Sequence, residues 1–207
     1  MINFCSLRIK GVKNVKNIDG NMIFASNHLS EMDPLLIVSC LPFFRGILPL
    51  IYVARQKKHY KVVWWKQILY GGTFFRIIGA YPSYKGMNNY EQALSHHIDV
   101  IKRGHNVAIF PNGKIVKGKK EVVKAGGGIA YLSITSGLPI IPIKIKGTQD
   151  LKFKDFYSGK RQISFTFGKP LYAKDIFRDQ NKIIVNSKRN DYFDAAAKVM
   201  ELVEKLK

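Results

Sequence analysis

His28 is followed, after four intervening residues, by Asp33 in the segment Ser26-Asn27-His28-Leu29-Ser30-Glu31-Met32-Asp33-Pro34. The apolar run before it reads as a buried strand, Asn21 to Ser26, and an apolar helix is expected to open at Asp33-Pro34. A loop between two such elements can fold the carboxylate back onto the imidazole. A carboxylate in that position fixes the tautomer and stabilises the imidazolium, which makes the His a general base at neutral pH. The spacing also has a plainer reading, a loop His beside an Asp that serves as N-cap with Pro at the first helical position.

Other segments carry polar chemistry further along the chain. Phe110-Pro111-Asn112-Gly113-Lys114 follows a short apolar run, although Pro-Asn-Gly favours a tight turn on backbone grounds alone. Lys85 and Lys114 read equally well as ordinary surface lysines. Gly126-Gly127-Gly128 opens a helix whose first amides can hold an anion, and it matches no dinucleotide fingerprint. A nucleophile elbow is missing, which argues against a hydrolase that works through a covalent serine. Cys5 and Cys40 stand far apart without a CxxC pair, so neither a disulfide framework nor a zinc site is expected, and a reducing cytoplasm is the default compartment.

Taken in order, these segments resemble the signatures of the glycerolipid acyltransferases, typified by 1-acylglycerol-3-phosphate acyltransferase. Asn27-His28 with Asp33-Pro34 is similar to the first signature of that family. Gly79-Ala80-Tyr81-Pro82-Ser83-Tyr84-Lys85 stands where the family has a Gly-led strand ending in Arg, and Phe110-Pro111-Asn112-Gly113-Lys114 where it has Phe-Pro-Glu-Gly-Thr-Arg. Lys124-Ala125-Gly126 and Leu138-Pro139-Ile140-Ile141-Pro142-Ile143 resemble its Lys-x-Gly helix start and its last Pro-containing strand. The resemblance spans roughly residues 18 to 170. It implies direct acyl transfer from a thioester to a hydroxyl, with His28 as base, Asp33 orienting it, and no cofactor or metal beyond acyl-CoA or acyl-acyl-carrier-protein as co-substrate. It also implies an acceptor site at Lys85, Asn112, Gly113, Lys114 and Lys124. Lys85 replaces the usual Arg, Asn112 the usual Glu, and Lys114-Ile115 the usual Thr-Arg. Lysine is a point charge rather than a two-pronged fork, so the phosphate of a lysophospholipid would be met differently. Lysophosphatidate is the acceptor first expected; another hydroxyl lipid, such as a glycolipid or an amino-acid-derived lipid, is the alternative.

The elements that must position these residues alternate in type. Strands are expected at Ile47 to Ala54, Phe75 to Tyr81, Asn106 to Phe110, Ile140 to Ile145 and Gln162 to Phe167. Helices are expected in the Trp-bearing segment before Phe75, at Tyr90 to Arg103, at Ala125 to Ser136, and as an amphipathic C-terminal helix over about 190–207. That alternation predicts an α/β chain, a single domain over 1–207 with a central, mostly parallel or mixed sheet flanked by helices.

Composition bears on partners rather than on fold. The 207 residues include 34 Lys+Arg against 14 Asp+Glu, a formal charge of +20, which favours polyanions and anionic surfaces. From Pro34 to Tyr90 the chain has no Asp or Glu, and this stretch holds both tryptophans, Trp64 and Trp65. Cations interleaved with aromatic rings suit the headgroup region of an anionic bilayer. They also suit stacking on a single strand of nucleic acid, or a core of rings beneath a solvated basic face. Together with the family resemblance, the composition leads to an expectation of peripheral attachment at the cytoplasmic face of a membrane, with no nucleic-acid partner. Met1 to Lys16 lacks the apolar stretch of a secretory signal, and Leu35 to Ala54, with Pro42, Arg45 and Pro49, is a poor membrane span. The rival from another class is a basic binding module without activity.

Overall fold

The computed structural model describes residues 6–42, 46–55, 79–83, 89–116, 124–151, 155, 161–177 and 189–207. Among the described residues seven strands form one sheet: β1 (Ser6–Lys10), β2 (Ile23–Ser26), β3 (Leu50–Arg55), β4 (Ala80–Ser83), β5 (Asn106–Ile109), β6 (Ile140–Lys146) and β7 (Gln162–Phe167). Their order is β1-β7-β6-β2-β5-β3-β4, parallel throughout except for the antiparallel pair β6–β7. Among the described residues the helices are α1 (Lys13–Lys16), α2 (Asp33–Cys40), α3 (Tyr90–Lys102), α4 (Gly128–Ser136), α5 (Ala173–Ile176) and α6 (Arg189–Lys205). The chain thus has the expected α/β architecture with a mixed sheet.

The central strand β2 reads Ile-Phe-Ala-Ser and is buried along its whole length. Successive side chains of a strand point to opposite faces, so such a run needs cover on both sides. Ile23 and Ala25 enter a core with Leu94, Ile98, Ile129, Leu132, Val199 and Val203 from α3, α4 and α6. Met22 and Phe24 enter a second core with Val15, Ile37, Tyr52, Phe165 and Phe167 on the face that α1 and α2 cover. Each fully buried side chain of this size contributes roughly 1.5–3 kcal/mol, so β2 is anchored from both sides. Its C-terminal end, where Asn27 and His28 follow, is therefore a rigid platform.

Several boundaries differ from the sequence expectation for physical reasons. Asp33 was expected to cap its helix; instead Met32 is the capping residue, Asp33 is the first helical residue, and the Asp33 side chain makes no cap bond. Its carboxylate is taken by the preceding loop, as described below. α4 begins at Gly128 rather than Ala125, and the segment before it is tied instead to the loop after β5, the Gly126 amide donating to Pro111 O at 2.8 Å. β4 runs through Pro82, where the sequence had suggested a stop; an edge strand tolerates a residue that cannot donate to a partner. Gly79 leads into it with φ 80°, and a Cβ there would lie 2.6 Å from Leu50 O. β1 was not expected at all, since every one of its residues is exposed and it carries no burial pattern to read. The Trp-bearing helix, with Trp64 and Trp65, lies outside the described residues, as does most of the strand expected from Phe75.

His97 on α3 is a consequence of this packing that the sequence does not reveal. It is completely buried, and neither ring nitrogen has a hydrogen-bond partner among the described residues. Burial, helped by the His96 ring at 5.8 Å between centroids, pushes its pKa down from 6.5 to about 4; the backbone of Tyr81 and Tyr52 opposes this only in part. Between those two values the unfolded chain binds the extra proton and the folded chain does not. Stability should therefore be intact above about pH 6.5 and fall as pH drops towards 4, by about 3 kcal/mol over the window. Urea midpoints measured at pH 7 and pH 5 should separate clearly in the wild type and much less in His97→Leu. An equal separation in both proteins would assign the acid sensitivity to other groups.

Candidate active site

The site sits at the C-terminal ends of β2, β5 and β6. Asn27 extends the pairing of β2 with β6 by one side chain: its Nδ2 donates to Ile145 O at 2.9 Å, and Ile145 N donates to its Oδ1 at 2.7 Å. Beyond Asn27 the chain turns to present His28. The imidazole Nδ1 lies 3.0 Å from Asp33 Oδ2, the His28 side chain being 17% exposed and Asp33 fully buried. The same Oδ2 accepts from Leu29 N at 2.6 Å and from Ser30 N at 2.8 Å. The other oxygen, Oδ1, accepts from the Thr148 hydroxyl at 2.7 Å. The carboxylate is thus held by directed dipoles, the pattern that stabilises a buried charge. Facing a carboxylate oxygen, Nδ1 carries the ring hydrogen and Nε2 is left as the acceptor.

The loop after β5 closes over the ring. Phe110 stacks on His28 with 4.1 Å between centroids and 19° between planes, and Tyr52 lies parallel to Phe110 at 6.1 Å. Tyr52 Oη donates to Pro34 O at 2.7 Å, tying β3 to the start of α2. Burial, reinforced by the negative charge of Asp33, holds the Tyr52 phenol well above its ordinary pKa, so it acts here as a neutral donor. The loop returns through Val116, whose amide donates to His28 O at 2.9 Å. Burial also pushes the Cys40 thiol up to about 11, which leaves it protonated and a poor nucleophile at neutral pH.

Of the residues that the sequence nominated, His28 and Asp33 meet directly. Asn112, half-buried, and Gly113 form a tight turn closed by Gly113 N donating to Phe110 O at 2.8 Å, with Gly113 at φ 63°. The turn reading of Pro-Asn-Gly is therefore correct, and the turn belongs to the loop that covers His28. Lys114 is exposed on the same loop, and Lys124 is exposed two residues before Gly126, which is bonded to Pro111. Lys85 lies outside the described residues. Asn27 was visible as part of a motif, though not as a strut between strands. Phe110 was likewise visible only as part of a motif, Tyr52 gives no sequence signal that separates it from core aromatics, and Thr148 is 115 residues from Asp33. Among the described residues no group of three or more His, Cys, Asp or Glu could hold a metal ion, and no helix is long and apolar enough to cross a membrane.

Comparison with known proteins bears directly on this arrangement. A family model described as Acyltransferase matches residues 6–146, well over half of the chain. The chain belongs to the acyltransferase family. It is 24% identical over 148 residues to a probable 1-acyl-sn-glycerol-3-phosphate acyltransferase of Mycoplasma pneumoniae, a match that covers 69% of this chain and 52% of the relative. It is 29% identical over 167 residues to Tafazzin of Drosophila melanogaster, covering 78% and 43%. The chain therefore spans about half the length of these relatives. The crystal structure of the 1-acyl-sn-glycerophosphate (LPA) acyltransferase of Thermotoga maritima shares the fold, with a TM-score of 0.58 at 19% identity over 98% of this chain and 74% of that one. His28 and Asp33 both fall within the segment matched by the acyltransferase family model.

Proposed function

We propose that this acyltransferase-family chain moves a fatty acyl group from a thioester, acyl-CoA or acyl-acyl-carrier-protein, directly to the hydroxyl of a lysophospholipid, with lysophosphatidate as the leading acceptor. The observation that carries this reading is the His28–Asp33 pair: a buried carboxylate on Nδ1 and a partly exposed ring whose Nε2 is left as a base. Nε2 takes the proton of the acceptor hydroxyl as that oxygen attacks the thioester carbonyl. The resulting imidazolium, stabilised by Asp33, then returns the proton to the departing thiolate, so the acyl group never bonds to the protein. Both donors are polyanions, which a chain of formal charge +20 attracts. Attachment at a membrane surface is part of the proposal and rests on the acid-free, aromatic-rich stretch from Pro34 to Tyr90.

The acceptor's charge is the finer question, and the turn at Asn112 bears on it. A carboxylate usual at this place in the family is replaced by a neutral amide, and Glu121 is the sole acid in the sequence between Gly104 and Gly147. Attraction between opposite charges in a partly desolvated site exceeds its value in water, so an anionic headgroup should be preferred over a zwitterionic one. With purified protein, labelled donor and a panel of lysolipids, lysophosphatidate should outperform lysophosphatidylcholine, and Asn112→Glu should narrow the gap. Equal rates on both, unchanged by the substitution, would mean that Asn112 serves the turn alone and that headgroup charge is not read here. A glycolipid or amino-acid-derived lipid outrunning both would favour the second reading, to which the replacements at Lys85, Asn112 and Lys114 point.

A further inference from the structure

The Asp33 carboxylate is held unevenly. Three donors converge on Oδ2, namely Leu29 N, Ser30 N and the His28 ring, while among the described residues the hydrogen bond shown for Oδ1 is that from Thr148. Thr148 is fully buried, as is Asp33, so no bulk water stands ready to take the place of its hydroxyl. The turn that delivers Thr148 is built rather than incidental. Gly147 leaves β6 with φ 85°, in a place where a Cβ would meet Gln162 O at 2.1 Å, so only glycine turns here. Leu151 N closes the turn onto Thr148 O at 3.3 Å, and Arg161 reaches across to Gln149 O and to Asp155 Oδ2 at 3.0 Å. A hydroxyl placed with this much support against a buried carboxylate does more than fill space.

We propose that Thr148 is a positioning residue of the acyl-transfer site, its hydroxyl locking the rotation of the Asp33 carboxylate and sharing its negative charge so that His28 keeps a base of moderate strength. This rests on the His28–Asp33 reading above. Without that donor the charge on Asp33 concentrates on the oxygen facing His28, because Leu29 N and Ser30 N still hold Oδ2 in place. A carboxylate less stabilised elsewhere draws the Nδ1 proton more strongly and favours the imidazolium. Among the described residues the other ionisable groups on the elements packed here are Glu31, Cys40, Tyr52, Lys114, Lys144, Lys146, Asp150, Asp155 and Arg161, and a substitution at 148 leaves all of them in place.

Thr148→Val, which keeps shape but removes the hydroxyl, and Thr148→Ser, which keeps the hydroxyl, separate this role from packing. NMR titration of His28 in the full chain should show its pKa rising by roughly half to one unit in the Val protein and returning to the wild-type value in the Ser protein. The acid limb of the kcat profile should move by the same amount. On that acid limb kcat in the Val protein should fall about three- to tenfold, the factor that the pKa shift itself sets, with KM little changed, because the group does not touch substrate. A His28 titration that does not move in Thr148→Val, or a Ser protein as impaired as the Val protein, would overturn the proposal. The titration needs no turnover, so a moved His28 pKa in a chain that transfers no acyl group would sustain the tether and remove the acyltransferase reading instead.

Discussion

His28→Ala should reduce acyl transfer by about 10²–10⁴-fold, the range that a positioned general base contributes. The substitution leaves the backbone strut intact, since Asn27 still spans β2 and β6 and Val116 still bonds to the carbonyl of residue 28. Asp33 keeps its two amide donors and Thr148, so the buried carboxylate is not stranded. The protein should therefore fold and bind lipid as the wild type does while failing in the chemical step, which shows as a fall in kcat with KM nearly unchanged. Circular dichroism and a lysolipid titration, run beside the assay, check both halves of this expectation. Turnover near the wild-type rate would remove His28 from the reaction.

Asp33→Asn should be the next most damaging change, and it should leave residual activity. Its amide oxygen can stand where Oδ2 stands and accept from Leu29 N, Ser30 N and His28 Nδ1, while its NH2 faces a Thr148 hydroxyl that can turn round to accept. Geometry is therefore kept and charge is lost. The imidazolium formed during transfer no longer has an anion beside it, so His28 becomes a weaker base and kcat falls, by about 10²-fold. Asp33→Ala should do worse, because it also leaves buried donors without a partner at about 1–3 kcal/mol each. Assay and thermal melting together distinguish the two: Asn should lose rate while holding stability, and Ala should lose both. Rates and melting points of both the Asn and the Ala proteins equal to those of the wild type would show that neither charge nor hydrogen bonding at Asp33 matters.

How far the sequence disclosed this arrangement depended on chain separation. His28 and Asp33 are close in sequence and lie between a buried strand and an apolar helix, but the spacing alone also suits a loop His beside a capping Asp, and the pairing became legible only together with the other family-like segments. The order of strands and helices was legible because β2, β5 and β6 are short apolar runs bounded by Gly, Pro or Asn, and because α3 and α6 show helical periodicity. The edge was not legible. β1 is fully exposed, and its parallel partner β7 follows it by more than 150 residues, so neither burial nor proximity marks it. The role of Asp33 within its helix was misread because an Asp before Pro suits a cap, while the amides that claim the carboxylate belong to a loop whose path the sequence does not specify. Thr148 and Asn27 act through partners 115 and 118 residues away, contacts that exist only once β6 lies beside β2. Of the residues that the family resemblance nominated for an acceptor, Asn112 and Gly113 lie in the turn that follows Phe110, whereas Lys85 falls outside the described residues.

Direct transfer, with no acyl group bonded to the protein, is the central claim, and intact-protein mass spectrometry coupled to product analysis tests it most directly. Purified chain is incubated with a labelled acyl thioester, first alone and then with lysophosphatidate. The account predicts unmodified protein mass in both cases, and phosphatidate formed in step with released thiol only when the lysolipid is present. A stable acyl adduct on the protein before the acceptor is added, or thiol release without acylated lipid, would contradict it.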